Sequence, residues 1–121
     1  MIDLKDIVVR FGDFTALHGI NVHVGEGEFF TFLGPSGCGK TTTLRAITGF
    51  AEPASGTVSM AGRDITRVPI EDRRIAIVFQ SYALFPTMTV YDNIAFGLKI
   101  KKLGKQEIDR KVRAIAVKLD L

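Results

Sequence analysis

The sequence has little cysteine and no tryptophan or long apolar run, and these scarcities exclude several classes of protein. A single cysteine among 121 residues rules out an internal disulfide, so we expect a reducing compartment rather than a disulfide-stapled secreted domain. No window approaches the roughly 20 continuous apolar residues of a membrane-spanning helix. The N-terminus lacks the basic start and apolar stretch of a signal peptide. His18 and His23 stand without nearby acidic or cysteine ligands, which argues against a metal site built on histidine.

The sequence also lacks a large excess of either positive or negative charge. Sixteen Lys and Arg residues face 13 Asp and Glu residues, and a net charge of +3 is too mild to predict nucleic-acid binding. A hydrophobic fraction of 46% and a charged fraction of 24% are ordinary for a soluble globular protein. The length suffices for one small domain with a core, but not for two. We therefore expect one cytoplasmic domain.

The most informative feature that is present is a glycine-rich stretch at residues 34–42. It matches the phosphate-binding pattern G-x-x-x-x-G-K-[ST] at every fixed position. Its glycines permit positive φ, so the backbone amides can form an anion nest that continues into a helix N-terminus. Lys40 would reach the β- and γ-phosphates, and the Thr41 hydroxyl would ligate Mg²⁺. The predicted nucleotide-binding residues are Gly34, Pro35, Ser36, Gly37, Cys38, Gly39, Lys40, Thr41 and Thr42.

The surroundings of this loop predict a strand before it and a helix after it. Residues 29–33 form a short apolar run that favours a buried strand, and Leu44, Ile47 and Ala51 recur at helical spacing. A structure that left residues 29–33 outside a sheet, or the loop without a following helix, would argue against the interpretation. The alternative is a glycine-rich turn in some other strand–helix unit.

The rest of the chain predicts an α/β fold. Strand patterns cover residues 2–9, 20–24 and 75–79, and residues 57–60 and 63–65 read as a hairpin around Ala61-Gly62. Thr89 and Asp92 have capping-box-like spacing before a helix, and a final amphipathic helix carries Ile108, Val112, Ile115, Ala116 and Leu119 on one face. We predict a P-loop core sheet with an antiparallel N-terminal β subdomain in residues 1–80, and the start of a helical subdomain in residues 81–121.

The chain resembles the nucleotide-binding subunit of an ABC transporter. The resemblance covers essentially the whole chain and is strongest at residues 34–42 and in Val78-Phe79-Gln80-Ser81-Tyr82-Ala83-Leu84-Phe85-Pro86. It is closest to importer ATPases that serve polyamines, iron(III), sulfate, sugars or phosphonates. A P-loop alone names only a superfamily, and the following glutamine segment makes the resemblance far more specific.

The resemblance assigns roles to two further residues. Phe11 falls where the family places an aromatic side chain that stacks on adenine; taken alone, it reads more simply as the last core residue of its strand. Gln80 falls where the family places a side chain that touches Mg²⁺ or the attacking water; taken alone, it is a polar residue at a strand end. With Lys40, Gln80 is the expected catalytic residue, and with Thr41 the expected metal ligand.

The resemblance also implies partners. Residues 82–88, from Tyr82 to Met88, correspond to a groove that receives a short helix of the transmembrane permease subunit; the alternative is buried apolar filler. A second ATPase subunit, ATP and Mg²⁺ complete the expected assembly. The protein would then be cytoplasmic and peripheral, held at the inner face of the membrane by the permease.

Several family motifs have no counterpart in the sequence. A strand ending in Asp-Glu, a Leu-Ser-Gly-Gly-Gln segment and a switch histidine do not occur. The sequence stops inside an amphipathic helix, so we expect the N-terminal portion of a longer subunit and no ATP turnover by these residues alone. The competing hypotheses are an importer ATPase subunit and a non-catalytic fragment that binds nucleotide weakly or is unstable. A P-loop kinase or GTPase is disfavoured by Phe79-Gln80-Ser81.

Overall fold

The structure, a computed structural model, describes all residues from Met1 to Leu121 as two compact units, Met1–Ile77 and Val78–Leu121. In chain order the elements are β1 (Ile2–Phe11), β2 (Phe14–Val24), α1 (Lys40–Thr48), β3 (Ser55–Met60), β4 (Arg63–Asp64), a short 3₁₀ helix (Ile70–Asp72), α2 (Val90–Ile100) and α3 (Lys105–Lys118). None of these helices is long and apolar enough to cross a membrane. The mixture of helices and sheet confirms the predicted α/β class.

The first unit is built on a four-stranded antiparallel sheet in the order β2-β1-β3-β4. Gly12-Asp13 joins β1 to β2, and Ala61-Gly62, with φ of 49° and 79°, joins β3 to β4. Positive φ at both central residues suits the right-handed twist of a two-residue hairpin. The predicted antiparallel sheet and hairpin are confirmed. β1 runs two residues past the predicted end because Phe11 pairs with Phe14.

β1 is the centre of the core. Its buried side chains Leu4, Ile7 and Val9 pack with residues from β2, β3 and α1. An irregularity at Asp6, with φ of 50°, is held by reciprocal hydrogen bonds with Asn21: the Asp6 amide donates to the Asn21 side chain, whose amide donates to the Asp6 carboxylate. The sheet therefore keeps its apolar face continuous past the irregularity.

Two predicted strands are absent, and this part of the sequence-based prediction is wrong. Residues 29–33 lie outside any sheet, with the Phe29 side chain 94% exposed and the Leu33 side chain 89% exposed. Residues 75–79 likewise lie outside any sheet. The four-stranded sheet includes neither run, because an apolar run becomes a strand only where another strand pairs with it. Of the two conditions that the sequence set for the loop's surroundings, the strand before it is therefore not met, whereas the helix after it is present as α1.

Arg73 anchors the end of α1 that lies away from the glycine-rich loop. Its side chain is only 4% exposed, and its guanidinium donates to the carbonyls of Ala46 and Ile47 in α1 and of Thr66 and Val68 in the following loop, at 2.7–2.9 Å. Burial lowers the pKa of Arg73 from its usual value. The cation also faces the partial negative charge at the C-terminal end of a helix, which stabilises it there.

The second unit is a helix pair with a small core. Ala95 of α2 packs with Ile108 and Val112 of α3. Thr89 caps α2: its hydroxyl accepts from the Asp92 amide and donates to the Asp92 carboxylate, which confirms the capping prediction. α3 covers the predicted amphipathic segment, but of the predicted face Ile108 and Val112 are buried whereas Ile115 and Leu119 are exposed.

Replacing Arg73 by alanine should strongly destabilise the first unit. Four carbonyls would lose a charged donor, and those of Ala46 and Ile47 would stay buried, so we expect the free energy of unfolding to fall by about 3 kcal/mol. Urea unfolding followed by circular dichroism measures the change. The neighbouring exposed residue provides the control, because Arg74→Ala removes a guanidinium that makes no such contacts and should cost no more than about 0.5 kcal/mol. Equal losses in both variants would contradict the anchoring role.

Candidate nucleotide-binding site

The glycine-rich loop reaches α1 through backbone conformations that glycine favours. Gly37 and Gly39 have φ of 81° and 95°, and Gly39 is the residue that begins the helix. A Cβ added to Gly39 would lie 2.7 Å from the Leu17 side chain and 3.4 Å from the Ala16 carbonyl of β2. A larger residue would have to shift the flexible end of the Leu17 side chain, and the positive φ at residue 39 would strain it in any case. The loop is therefore seated directly against the sheet.

The N-terminus of α1 has no internal cap. No side chain accepts from its first amides, and no acidic residue stands in its first turn. The amides of Lys40, Thr41 and Thr42 therefore keep free donors beside the partial positive charge of the helix end. Such an end binds anions readily, phosphate groups above all.

The ammonium of Lys40 is held by the loop itself. It donates to the carbonyls of Gly34 and Pro35, each at 2.7 Å, and to the Cys38 sulfur at 3.3 Å. All three of its donors are thus engaged. A phosphate oxygen that binds Lys40 must replace at least one of these acceptors. Without a phosphate, the loop carbonyls and the Cys38 sulfur hold the ammonium in place.

The hydroxyl groups along α1 divide into two kinds. Those of Thr43 and Thr48 donate to carbonyls of their own helix, at 2.9 and 2.8 Å. Thr41 is exposed and its hydroxyl has no such bond. The chain holds no cluster of three metal-binding side chains. Magnesium commonly takes only one or two protein ligands and completes its shell with phosphate oxygens and water, so a lone Thr41 hydroxyl at the loop fits that ion.

Phe11 lies at the end of β1, on the face that carries the loop. Ile7, Val9 and Phe11 alternate onto one face of β1, and Val9 pairs with Leu17, the residue that contacts Gly39. Phe11 is two residues farther along, about 7 Å at the rise of a strand. Its side chain is 49% exposed, so the structure does not bury it as core.

Gln80 belongs to the second unit, where it begins a turn and is exposed to solvent. Tyr82 and Ala83, just after it, have φ of 59° and 51°. The role of Gln80 toward Mg²⁺ or water stays a prediction, and so does the grouping of all the proposed site residues around one nucleotide.

Asn93 organises the loop of residues 82–88, and the sequence analysis missed it. Its side chain accepts from the Phe85 amide at 2.9 Å and donates to the carbonyls of Phe85, Met88 and Thr89 at 3.0–3.2 Å. The rings of Phe85 and Phe96 lie 4.5 Å apart. An asparagine in the first turn of a predicted helix, just after a loop, was the available signal, because its amide can bond free backbone groups there.

Beside this loop lies an apolar groove of about 450 Å³, lined by Met88, Asp92, Phe96, Lys99 and Ile100. Lys99 donates to Asp92 at 2.7 Å across its floor, and this bond, with that from Thr89, lowers the pKa of Asp92. Tyr82 and Leu84 are exposed rather than buried. The alternative that they are buried filler is therefore wrong.

The comparison with known families identifies the chain. The pattern of the family described as ABC transporter matches residues 17–121. The chain belongs to the ABC transporter family.

Curated relatives are named as ATP-binding proteins of import or transport systems. The chain is 53% identical over 112 residues to the spermidine/putrescine import ATP-binding protein PotA of Nitrosomonas eutropha, covering 93% of this chain and 31% of PotA. It is 52% identical over 118 residues to the alpha-glucoside transport ATP-binding protein AglK of Rhizobium meliloti, covering 98% of this chain and 33% of AglK. The chain thus spans about a third of the length of these relatives.

Solved cassettes share the fold. The dimeric, post-hydrolysis structure of an ATP-binding cassette bound to ADP and Pi superposes with a TM-score of 0.82 and 27% identity, over 94% of this chain and 55% of that one. A dimeric bacterial ABC transporter cassette gives a TM-score of 0.78 and 29% identity, over 91% and 53%. The family resemblance inferred from the glycine-rich loop and the glutamine segment is confirmed.

Replacing Lys40 by alanine should weaken ATP binding by at least about tenfold, because a charge-assisted contact to phosphate is lost. Isothermal titration of the chain with Mg²⁺-ATP measures the affinity. Lys118→Ala removes an exposed lysine far along the sequence in α3, in the other unit, and should leave the affinity unchanged. Equal ATP affinity in the parent and Lys40→Ala would contradict the site.

Proposed function

We propose that residues 34–42 bind the triphosphate of Mg²⁺-ATP and that the chain is the nucleotide-gripping part of an importer ATPase subunit. One observation carries the proposal: α1 begins without a side-chain cap or an acidic residue, directly after a glycine loop that holds Lys40. In a protein of this family, such an anion site would bind the phosphates of ATP. The γ-phosphate would draw Lys40 from the loop carbonyls, and the Thr41 hydroxyl would hold the metal.

The importer assignment rests on the relatives. Their names join ATP binding to the import of spermidine and putrescine or the transport of alpha-glucosides. We infer that this chain serves solute uptake in the same way, with a permease subunit docking beside residues 82–88 and a second ATPase subunit opposing the nucleotide. The exposed Tyr82 and Leu84 and the apolar groove beside them support a docking surface there. The transported solute is set by the other subunits.

Hydrolysis in the assembled transporter would need groups beyond the phosphate nest. Gln80 would position the attacking water or touch Mg²⁺, since its amide can both accept from water and donate to a phosphate oxygen. A general base and a further donor to the γ-phosphate would have to come from residues other than these 121.

A second candidate function, nucleotide binding without turnover, is favoured by residues 29–33. This segment leads into the loop without a sheet partner, with Phe29 and Leu33 almost fully exposed. A loop that is supported by β2 but not by a strand of its own should hold the phosphates less rigidly and bind more weakly.

Phe11→Ala should separate base binding from phosphate binding. Loss of a stacking contact worth about 1 kcal/mol lowers ATP affinity about fivefold, while free pyrophosphate, which has no base, should bind as before. Competition titrations with both ligands measure the two affinities. Phe29→Ala, which removes an exposed ring outside the sheet, is the matched control. Parallel losses of ATP and pyrophosphate in Phe11→Ala would show that the ring supports the fold instead.

The 121 residues alone should release no phosphate from ATP above background. The nest, Thr41 and Gln80 supply binding groups, but the sequence carries no acidic strand end to act as base and no signature segment. A coupled phosphate-release assay on the pure chain, with Lys40→Ala as the blank, tests this. Steady release that the Lys40→Ala substitution abolishes would place the catalytic groups within these residues.

A further inference from the structure

Two phenylalanines stand opposite each other at the tip of the first hairpin. Phe11 ends β1 and Phe14 begins β2, and they form the last pair of the ladder before the Gly12-Asp13 turn. Residues directly opposite in an antiparallel pair project from the same face, with Cβ atoms about 5 Å apart. The side chain of Phe14 is 66% exposed and that of Phe11 is 49% exposed. The tip therefore presents two exposed aromatic side chains on one face of the hairpin.

This aromatic pair faces the same side as the glycine-rich loop. Phe11 continues the face of Ile7 and Val9, whose ladder partner Leu17 lies against Gly39 at the start of α1. The irregularities in this part of the ladder fall on β2, between the partners of Ile7 and Val8 and between those of Val9 and Arg10, so β1 alternates regularly from Ile7 onward. The step from Val9 to Phe11 is about 7 Å. Both rings thus lie on the sheet face that carries the glycine-rich loop, and Phe11 is two residues along β1 from Val9, whose partner Leu17 contacts Gly39.

We propose that Phe14 is a second base-contacting residue, which together with Phe11 forms one aromatic platform for the adenine of ATP. The inference rests on the proposed function, because it needs a nucleotide whose phosphates occupy the nest. Adenine is flat and weakly polar, so it would cover both phenylalanine rings and remove them from water. The two rings alone do not shield each other completely. The platform gives affinity for a base through its π-face, without hydrogen bonds.

A purely structural role for Phe14 makes a different prediction. If the ring only supported the hairpin, its loss would disturb the sheet and the seating of Gly39 on Leu17, and it would weaken every ligand of the nest alike. If the ring instead contacts the base, its loss lowers the affinity for ATP and leaves the affinity for pyrophosphate unchanged. The comparison of ATP with inorganic pyrophosphate therefore separates the two roles.

The experiment measures both affinities in Phe14→Ala, Phe14→Leu and Phe14→Tyr, with Phe29→Ala as the control for removal of an exposed ring. Phe14→Ala and Phe14→Leu should lower ATP affinity about threefold to tenfold, the range of a single stacking contact. Pyrophosphate affinity should stay within about twofold of the parent. Phe14→Tyr keeps the ring and should keep the parent's ATP affinity. Phe14→Leu also keeps an apolar side chain at the hairpin tip, so a fold lost in the alanine variant can be distinguished from a lost base contact.

Unchanged ATP affinity in Phe14→Ala would overturn the inference, and so would equal losses of ATP and pyrophosphate. Full ATP affinity in Phe14→Leu would also overturn it, because an aliphatic side chain offers no ring. A parent chain that bound neither ligand would remove the proposed function and this inference with it. If the parent bound both ligands and substitutions of Phe14 left the ATP affinity unchanged, the inference would be overturned while the proposed function would stand.

Discussion

The seating of Gly39 against Leu17 is the contact on which the candidate site depends. It brings the start of α1 close to β2, where a Cβ on residue 39 would come within 2.7 Å of the Leu17 side chain. β2 is paired to β1, so the same contact sets the distance from the phosphate nest to the hairpin tip with Phe11 and Phe14. The contact between Gly39 and Leu17 thus links the glycine-rich loop, which suits phosphates, to the hairpin tip, which suits a base.

The other end of α1 is held by a contact of a different kind. Arg73 satisfies the carbonyls of Ala46 and Ile47 and connects them to the loop at Thr66 and Val68. Gly49 follows the helix with φ of 93°, and a Cβ there would lie 2.9 Å from the Arg73 Nε. The helix is therefore fixed by packing at the end that carries the candidate site and by hydrogen bonds at the other end. Its N-terminal amides remain free for an anion because neither device uses them.

Local patterns predicted what local chemistry controls. The glycine loop, the helix after it, the hairpin around Ala61-Gly62 and the Thr89 cap each depend on a few neighbouring residues, and all are present. The strands predicted at residues 29–33 and 75–79 were wrong because a strand depends on partners elsewhere in the chain, and an apolar run does not specify those partners. Arg73 was missed since nothing in the sequence distinguishes it from Arg74 beside it. Only the fold makes one of them 4% exposed and leaves the other in solvent.

The sequence by itself determined the chemistry of the phosphate nest. Spacing alone places glycines where φ must be positive, and one lysine and one threonine at the start of a helix, because these requirements span only nine residues. The tertiary structure decided how that nest is supported and what lies beside it. Leu17 under Gly39, Phe14 beside Phe11 and Arg73 behind α1 are distant from the loop in sequence, and only strand pairing and packing bring them to it. Such contacts follow from the register of the sheet, which no local pattern contains.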